Sequence, residues 1–513
     1  MSSRKQVTKA AGVVGLATMA TRILGFVRDM VIALLFGASL EADAFFVAFR
    51  IPNILRRLVG EGALTAAFIP VFIEERHQSE ERAWALTNTA ITFLTVILLA
   101  IVVLGIIVTP LIVKIIAPGF EESPEKFSLT IRLTRITFPY IFFISLAALA
   151  MGVLNSQQHF LSSALAPAML NLTLITGALF LCPQLETPVI GLAIGVIAGG
   201  FLQLLCQIPA LVRRGFRYRI SFDSSNPAVR KIGLLLLPTL FGLAVHQISI
   251  FVNTRLASLL PEGSVSYLYY AYRLVEFPLG IFVMAVATAV LPTMSVQSAK
   301  GDYAQVLDTL NFALRLVLCI SIPSMAGLIV LRVPIITWLF ERGEFTSEAT
   351  HATAQALFCY ALALFPIASG RIIVPVFYAL KDTSTPVKCA TASVGVNILC
   401  SLLLMGPMKH NGLALATSVS SFFYTVLLVR LLRNRLGSLG WRSLAVSGAK
   451  ALLASLIMGA CCYPLANRAS QYPLMLLAAI FLGMMVFLIC VWVLKLEELH
   501  FLYTMLRQRL KTR

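Results

Sequence analysis

Apolar residues run in blocks of about twenty along nearly the whole chain, with short polar segments between them. A block of that length is what a helix needs to cross a hydrocarbon layer about 30 Å thick. The blocks predict spans over 10–36, 43–75, 84–117, 127–154, 160–182, 188–213, 228–259, 265–297, 306–340, 348–379, 385–405, 411–435, 443–466 and 472–495. That makes an all-α polytopic membrane protein with fourteen transmembrane helices. Composition agrees: of 513 residues, 58% are hydrophobic and 12% charged, where soluble domains carry about 25% charged residues.

The net charge of +18 raises the question of nucleic acid. Its distribution answers it. Lys and Arg gather in alternate loops: Arg4, Lys5 and Lys9; Arg76 and Arg82; Arg213 to Arg219; Lys300; Lys381 and Lys388; Arg430 to Arg442; and the C-terminal tail. The intervening loops, GASLEA, CPQLETP and LLPEGSVS, are almost free of them. Positive residues mark the cytoplasmic side, so both termini are expected there. RGG tracts, zinc-ligand spacings and basic arms are missing, and no nucleic-acid partner is expected. Nine scattered cysteines read as small buried hydrophobes, not as a disulfide framework. The basic N-terminus leads into the first span, read as retained and not as a cleaved signal.

The chain repeats itself. Ala48-Phe49-Arg50-Ile51 recurs as Ala271-Tyr272-Arg273-Leu274, Pro110 as Pro334, Phe138-Pro139 as Phe365-Pro366, and Gly15-Leu16-Ala17 as Gly242-Leu243-Ala244. The offsets are 271 − 48 = 223, 334 − 110 = 224, 365 − 138 = 227 and 242 − 15 = 227. Two six-helix lobes follow, residues 1–220 and 221–437, with spans 13 and 14 and a basic tail added over 438–513. Six spans per lobe is an even number. The repeat is therefore parallel, with its pseudo-twofold along the membrane normal, and substrate sites in such folds lie at the repeat interface. Arg50 and Arg273 are its matched arginines.

Spans 1 and 2 carry an unusual load of charge: Arg22, Arg28, Asp29, Asp43, Arg50, Arg56, Arg57 and Glu61. Ionisable groups at membrane depth are costly and are tolerated facing a bundle interior or a watery cavity. Arg22 and Asp29 share a helix face, with Arg28 about a third of a turn away, so a wide cavity or a bend at Gly25 is expected. Arg57 and Glu61 stand at i,i+4, while Arg273 and Glu276 stand at i,i+3 in span 8. The arginines outnumber the acids. A planar guanidinium donates two hydrogen bonds at once to phosphate, so Arg22, Arg28, Arg56 and Arg273 are read as ligands for an anionic group. Arg57, Glu61 and Arg255 are candidates for gate or cavity, and Arg132, Arg135 and Lys300 read as interfacial anchors.

No catalytic motif appears: the six histidines are dispersed, and GxSxG, HExxH and P-loop patterns are missing. No enzyme activity, metal or cofactor is expected. TRILGFVRD, EADAFFVAFRIPNILRRLVGEGALTAAFIPVF and YRLVEFPLG closely resemble the MurJ/MviN lipid II flippases, within the multidrug/oligosaccharidyl-lipid/polysaccharide exporter superfamily. The resemblance extends over essentially the whole chain. It implies fourteen helices and alternating-access transport of the lipid-linked peptidoglycan precursor from the inner to the outer leaflet of a bacterial cytoplasmic membrane. A cationic central cavity would hold the pyrophosphate head. It also implies roles for Arg22, Arg28, Asp29, Asp43, Arg56, Arg273 and Glu276, and a groove for the polyprenyl tail at spans 13 and 14. One departure is visible: family members often have Asp immediately before the span 8 arginine, where this chain has Tyr272.

Two further expectations concern energy and partners. Moving an anionic head outward across a membrane negative inside is downhill by about 2.3 kcal/mol per charge per 100 mV, so the membrane potential is expected to drive turnover, with any coupling ion undefined. Expected partners are lipid II, membrane lipids and cell-wall synthesis proteins. The competing readings are an exporter of another lipid-linked glycan or a drug, and a non-transporting scaffold for wall synthesis.

Overall fold

The computed structural model of the chain describes residues 3–58, 64–223, 225–437, 439–496 and 498, with the backbone alone for 3–14, 16, 66 and 237–246. No strand occurs among the described residues. The chain folds as two compact units, Met1–Ser266 and Tyr267–Arg513.

In the first unit the helices are α1 (Ser3–Phe36), α2 (Leu40–Leu55), α3 (Thr65–Gln78), α4 (Glu80–Ile116), α5 (Pro124–Thr137), α6 (Tyr140–Ser156), α7 (Leu161–Thr176), α8 (Ile190–Leu205), α9 (Ile208–Val212) and α10 (Pro227–Ser258). Helix α1 lies on α7, α2 on α5, α6 and α7 on α8, and α10 on α3 and α4. Helix α11 (Ser264–Pro278) begins in this unit and continues into the second. There follow α12 (Met284–Ala299), α13 (Tyr303–Val330), α14 (Arg332–Phe340), α15 (Ser347–Ala361), α16 (Leu364–Ala379), α17 (Ser384–Met408), α18 (His410–Leu436), α19 (Trp441–Ala469) and α20 (Pro473–Val493). Here α17 pairs with α18, α19 with α20, and α13 packs on both α16 and α19.

Ten described helices are long and apolar enough to cross a membrane, eleven when α15 and α16, bent by 43°, are taken as one span. The remaining predicted spans, the first, second and seventh, coincide with α1, the α2–α3 pair and α10, all helical. The apolar-helix test thus counts ten or eleven of the expected fourteen.

Several spans are less regular than hydropathy suggests. Span 2 is not one helix: α2 gives way to a π turn at 56–58, and its continuation through Glu61 lies outside the described residues. Span 9 breaks at Leu331 between α13 and α14. Spans 4 and 10 break close to the matched Phe-Pro pairs, α5 ending at Thr137 before Pro139 and α15 ending at Ala361 before Pro366. Proline has no amide N–H to give and disfavours the helix before it, so a Phe-Pro pair favours a break here, although Pro110 and Pro323 sit inside unbroken helices. Further π segments are Gly177–Leu181, after α7, and Leu279–Val283, after α11. The π turns after α2 and α11 begin 279 − 56 = 223 residues apart, the offset between Ala48 and Ala271, whereas the one at Gly177–Leu181 has no counterpart at that offset. The paired irregularity repeats along with the sequence. Helix α1, by contrast, runs unbroken through Gly25.

Candidate functional site

Two buried charged clusters form in the first unit. The first is built on α1. The Arg28 guanidinium donates from Nε and Nη2 to Asp29 Oδ1 at 2.9 and 2.6 Å, and from Nη1 to Asn171 Oδ1 on α7 at 3.2 Å. Asn171 in turn donates from Nδ2 to the Thr21 carbonyl at 3.0 Å. Arg28, Asp29 and Asn171 are all buried. Neighbouring positions on a helix do not face one another, but the arginine side chain is long enough to fold back onto Asp29. Removed from water, the pair attracts far more strongly than it would at a surface. The result is a guanidinium fixed in place by its own helix and by α7.

The second cluster centres on Asp43, in the first turn of α2. Its Oδ2 accepts from Lys126 Nζ at 2.8 Å and from the Gly263 amide at 2.9 Å. Its Oδ1 accepts from the Ser266 amide at 2.9 Å and the Ser266 hydroxyl at 2.6 Å. The first amides of a helix have no partner within it and attract negative charge, so Asp43 caps α11. The exchange runs both ways: the Leu40 amide, at the start of α2, donates to Glu262 Oε1 at 2.8 Å. Lys126 is buried and lies 4.3 Å from the centroid of the Phe120 ring.

The same end of the unit is closed by two further contacts. Arg255 Nη1 donates to the Ile115 carbonyl at 2.6 Å. Gly119 sits so close to the end of α10 that a Cβ there would lie 2.1 Å from the Ser258 carbonyl oxygen. These contacts, with the Asp43 cluster, join residues 255–266 to helices of the predicted first lobe, and they account for a compact unit that runs on to Ser266.

The other predicted residues are less enclosed. Arg22 is half-buried. Arg50 donates from Nη1 to Thr254 Oγ1 at 2.7 Å. Arg56 lies in the first π turn and donates from Nε to Asn53 Oδ1 at 2.8 Å. In the second unit Arg273 Nη1 lies 3.5 Å from Glu276 Oε2, both half-buried. Arg57 is exposed, and Glu61, its expected partner, lies outside the described residues. Side-chain partners missed in the sequence include Asn171, Lys126, Thr254, Ser266 and Asn53. Among the described residues, no group of three or more His, Cys, Asp or Glu is placed to hold a metal.

Comparison with known proteins puts this arrangement in context. The family model described as lipid II flippase MurJ matches residues 32–483. This chain belongs to the lipid II flippase MurJ family. A probable lipid II flippase MurJ of Vibrio cholerae is 37% identical over 435 residues, covering 83% of each chain. The lipid II flippase MurJ of Burkholderia cenocepacia is 36% identical over 450 residues, covering 86% of this chain and 87% of its own. A solved lipid II flippase MurJ in an inward closed conformation superposes with a TM-score of 0.81 at 32% identity, covering 94% of this chain and 98% of that one. An inward-facing multidrug resistance transporter of the MATE family shares the fold at TM-score 0.69 and 15% identity, over 83% of this chain and 98% of its own. The family match takes in Asp43, Arg50, Arg56, Arg57, Glu61, Arg255, Arg273 and Glu276, whereas Arg22, Arg28 and Asp29 precede it.

Proposed function

We propose that the chain is itself a lipid II flippase of the bacterial inner membrane. It moves the lipid-linked peptidoglycan precursor from the inner to the outer leaflet by alternating access, with both termini in the cytoplasm and two six-helix lobes, 1–220 and 221–437, followed by 438–513. The observation that carries this reading is the match of residues 32–483 to the lipid II flippase family. The charged groups supply the chemistry. Arg22, Arg28, Arg56 and Arg273 hold the pyrophosphate, with Arg50 beside them, while Asp29 and Glu276 orient the guanidinium groups. The reciprocal caps at Asp43 and Glu262 close the outer end. Outward opening requires the α11 amides to leave Asp43, at a cost of about 1.5–3 kcal/mol for each hydrogen bond to a charged group. The surplus positive charge lets the membrane potential return the empty carrier inward.

A strain depleted of its own flippase, complemented with this chain and assayed for lipid II accessible at the outer face, tests the proposal. Restored accessibility supports it; normal expression with no accessible lipid II refutes it. Collapsing the potential should slow turnover, and unchanged turnover removes the voltage step while leaving the flippase.

A further inference from the structure

Helix α4 has 37 residues, about 55 Å at 1.5 Å per residue, against a hydrocarbon layer of about 30 Å. Its C-terminal two-thirds are apolar, so the overhang is the N-terminal stretch EERAWALTNT. Polar side chains on an overhang should meet water, yet Thr87, Asn88, Thr89 and Thr92 are all buried. Asn88, Thr89 and Thr92 are covered by the extended segment 216–222, between α9 and α10.

This strap is fixed by side chains of α4 in ladder fashion. Phe216 packs on Trp84, ring centroids 5.5 Å apart. Asn88 donates to the Arg217 carbonyl at 3.2 Å and accepts from the Arg219 amide at 3.1 Å. Ser221 bonds Thr89 through its hydroxyl at 2.8 Å and Thr92 through its amide at 3.3 Å. Phe222 meets Phe93 edge-on at 5.9 Å. From Trp84 to Phe93 is about 14 Å along the helix, so the strap descends the overhang and ends where the apolar part of α4 begins.

Arg217 and Arg219, with Arg213 just before the strap, are exposed, and Tyr218, Ile220 and Phe222 are exposed by 50%, 74% and 61% although Tyr218 also bonds Thr92 and Phe222 touches Phe93. Aliphatic and aromatic residues this open would be a liability in water. Ile220 and Phe222 stand at the end of the strap where the apolar part of α4 begins, with Arg217 and Arg219 before them and Tyr218 between the arginines. We propose that the strap is a docking surface for acidic phospholipid headgroups. The arginines take the phosphates, while Ile220 and Phe222 enter the upper acyl region. An acidic protein would need no apolar residues at that depth; a charged bilayer surface supplies both environments. Because 213–222 links the two proposed lobes, such binding sets the height of that link against the membrane. The inference rests on the reading that this end faces the cytoplasm.

The test uses the purified full chain in phosphatidylcholine vesicles with or without phosphatidylglycerol. Trypsin cleavage after Arg213, Arg217 and Arg219 should be about fivefold slower with phosphatidylglycerol at low salt, and high salt should remove the difference. Equal cleavage rates in the two vesicle types at low salt overturn the proposal. So does protection that requires an added polyglutamate peptide, which points to an acidic protein instead. Spin-labelled lipids give a second readout. The triple variant Arg213→Gln/Arg217→Gln/Arg219→Gln should lose its preference for spin-labelled phosphatidylglycerol over phosphatidylcholine, while Arg430→Gln/Arg442→Gln, also at exposed positions, should keep it. Equal effects of the two variants overturn a specific strap. Neither readout measures transport, so failure here and failure of the flippase reading remain separate.

Discussion

The Arg28 and Asp43 clusters are both dry ion pairs in the same unit, yet they are built from different parts of the chain. Arg28 pairs with the next residue on its own helix and with Asn171 on α7, the helix that packs on α1. These partners lie within the proposed first lobe. Asp43 is held by Lys126 and by Gly263 and Ser266, 220 and 223 residues away, so three of the four hydrogen bonds to its carboxylate come from the proposed second lobe. On the proposed division, charge held by bonds within one lobe would persist as the lobes rock. Charge shared between lobes would last only while they meet, and we propose that the Asp43 cluster acts as a lock.

The largest effect should come from breaking the lock. Asp43→Ala leaves the buried Lys126 ammonium without its carboxylate, a change that typically costs about 3–5 kcal/mol. Thermal unfolding should fall accordingly and flipping should be lost. Asp43→Ala/Lys126→Met should recover much of the melting temperature, because no bare charge remains, but not the transport, because the α11 amides are still uncapped. Full transport in the double variant would show that the lock is only structural.

Breaking the other cluster should look different. Arg28→Lys keeps the charge but loses the two-pronged contact with Asp29 and the bond to Asn171, about 1.5–3 kcal/mol for hydrogen bonds to a charged group. Transport should fall steeply with the accessibility of the outer end unchanged, measured by thiol labelling of a cysteine placed near Glu262. A shift in that labelling would mean that Arg28 too acts on the conformational balance.

These contrasts were only half legible in the sequence. Charge in apolar blocks marks Arg28, Asp29 and Asp43 at once, because such groups are expensive wherever they point. Their partners leave no such mark. Asn171 is 143 residues from Arg28, in a block that reads simply as span 5. Lys126 sits in FEESPEK, among acids that make it look like a solvated loop cation. The Asp43 cap uses backbone amides of Gly263 and Ser266, which no side-chain pattern records. For that reason the sequence groups Asp43 with the substrate residues, while its contacts are Lys126 and the first amides of α11. The repeat was legible through Arg50 and Arg273. The π turns were not, since one inserted residue per turn leaves hydropathy unchanged.

A smaller effect should follow from crowding the lock without touching its charges. At Gly119 an added Cβ meets the Ser258 carbonyl and the Leu259 Cα, both backbone atoms, and overpacking of this kind costs about 1–3 kcal/mol. Gly119→Ala should therefore push the end of α10 away and favour outward opening, raising thiol labelling near Glu262 with the Arg28 cluster intact. Unchanged labelling would place the closure at Asp43 alone.

The smallest effect lies at the far end, where neither cluster reaches. His159, in the turn between α6 and α7, bonds Ser162 Oγ through Nε2 at 2.9 Å. Partial burial, and after it the charge of Arg214, hold its pKa below the ordinary imidazole value. The unfolded chain therefore takes up this proton first as the pH falls. Above the ordinary value of about 6.5 both forms are neutral and stability is untouched. Below it the folded state loses ground until the pH passes the lowered folded value, after which the loss is complete. Melting temperatures between about pH 5 and 7 should show this slope, and His159→Asn should flatten it. Arg214→Gln should reduce it only in part, because burial is the larger cause. Equal flattening by both variants would reverse that ranking, whereas a matching slope in transport with Asp43 intact would tie this remote turn to the lock.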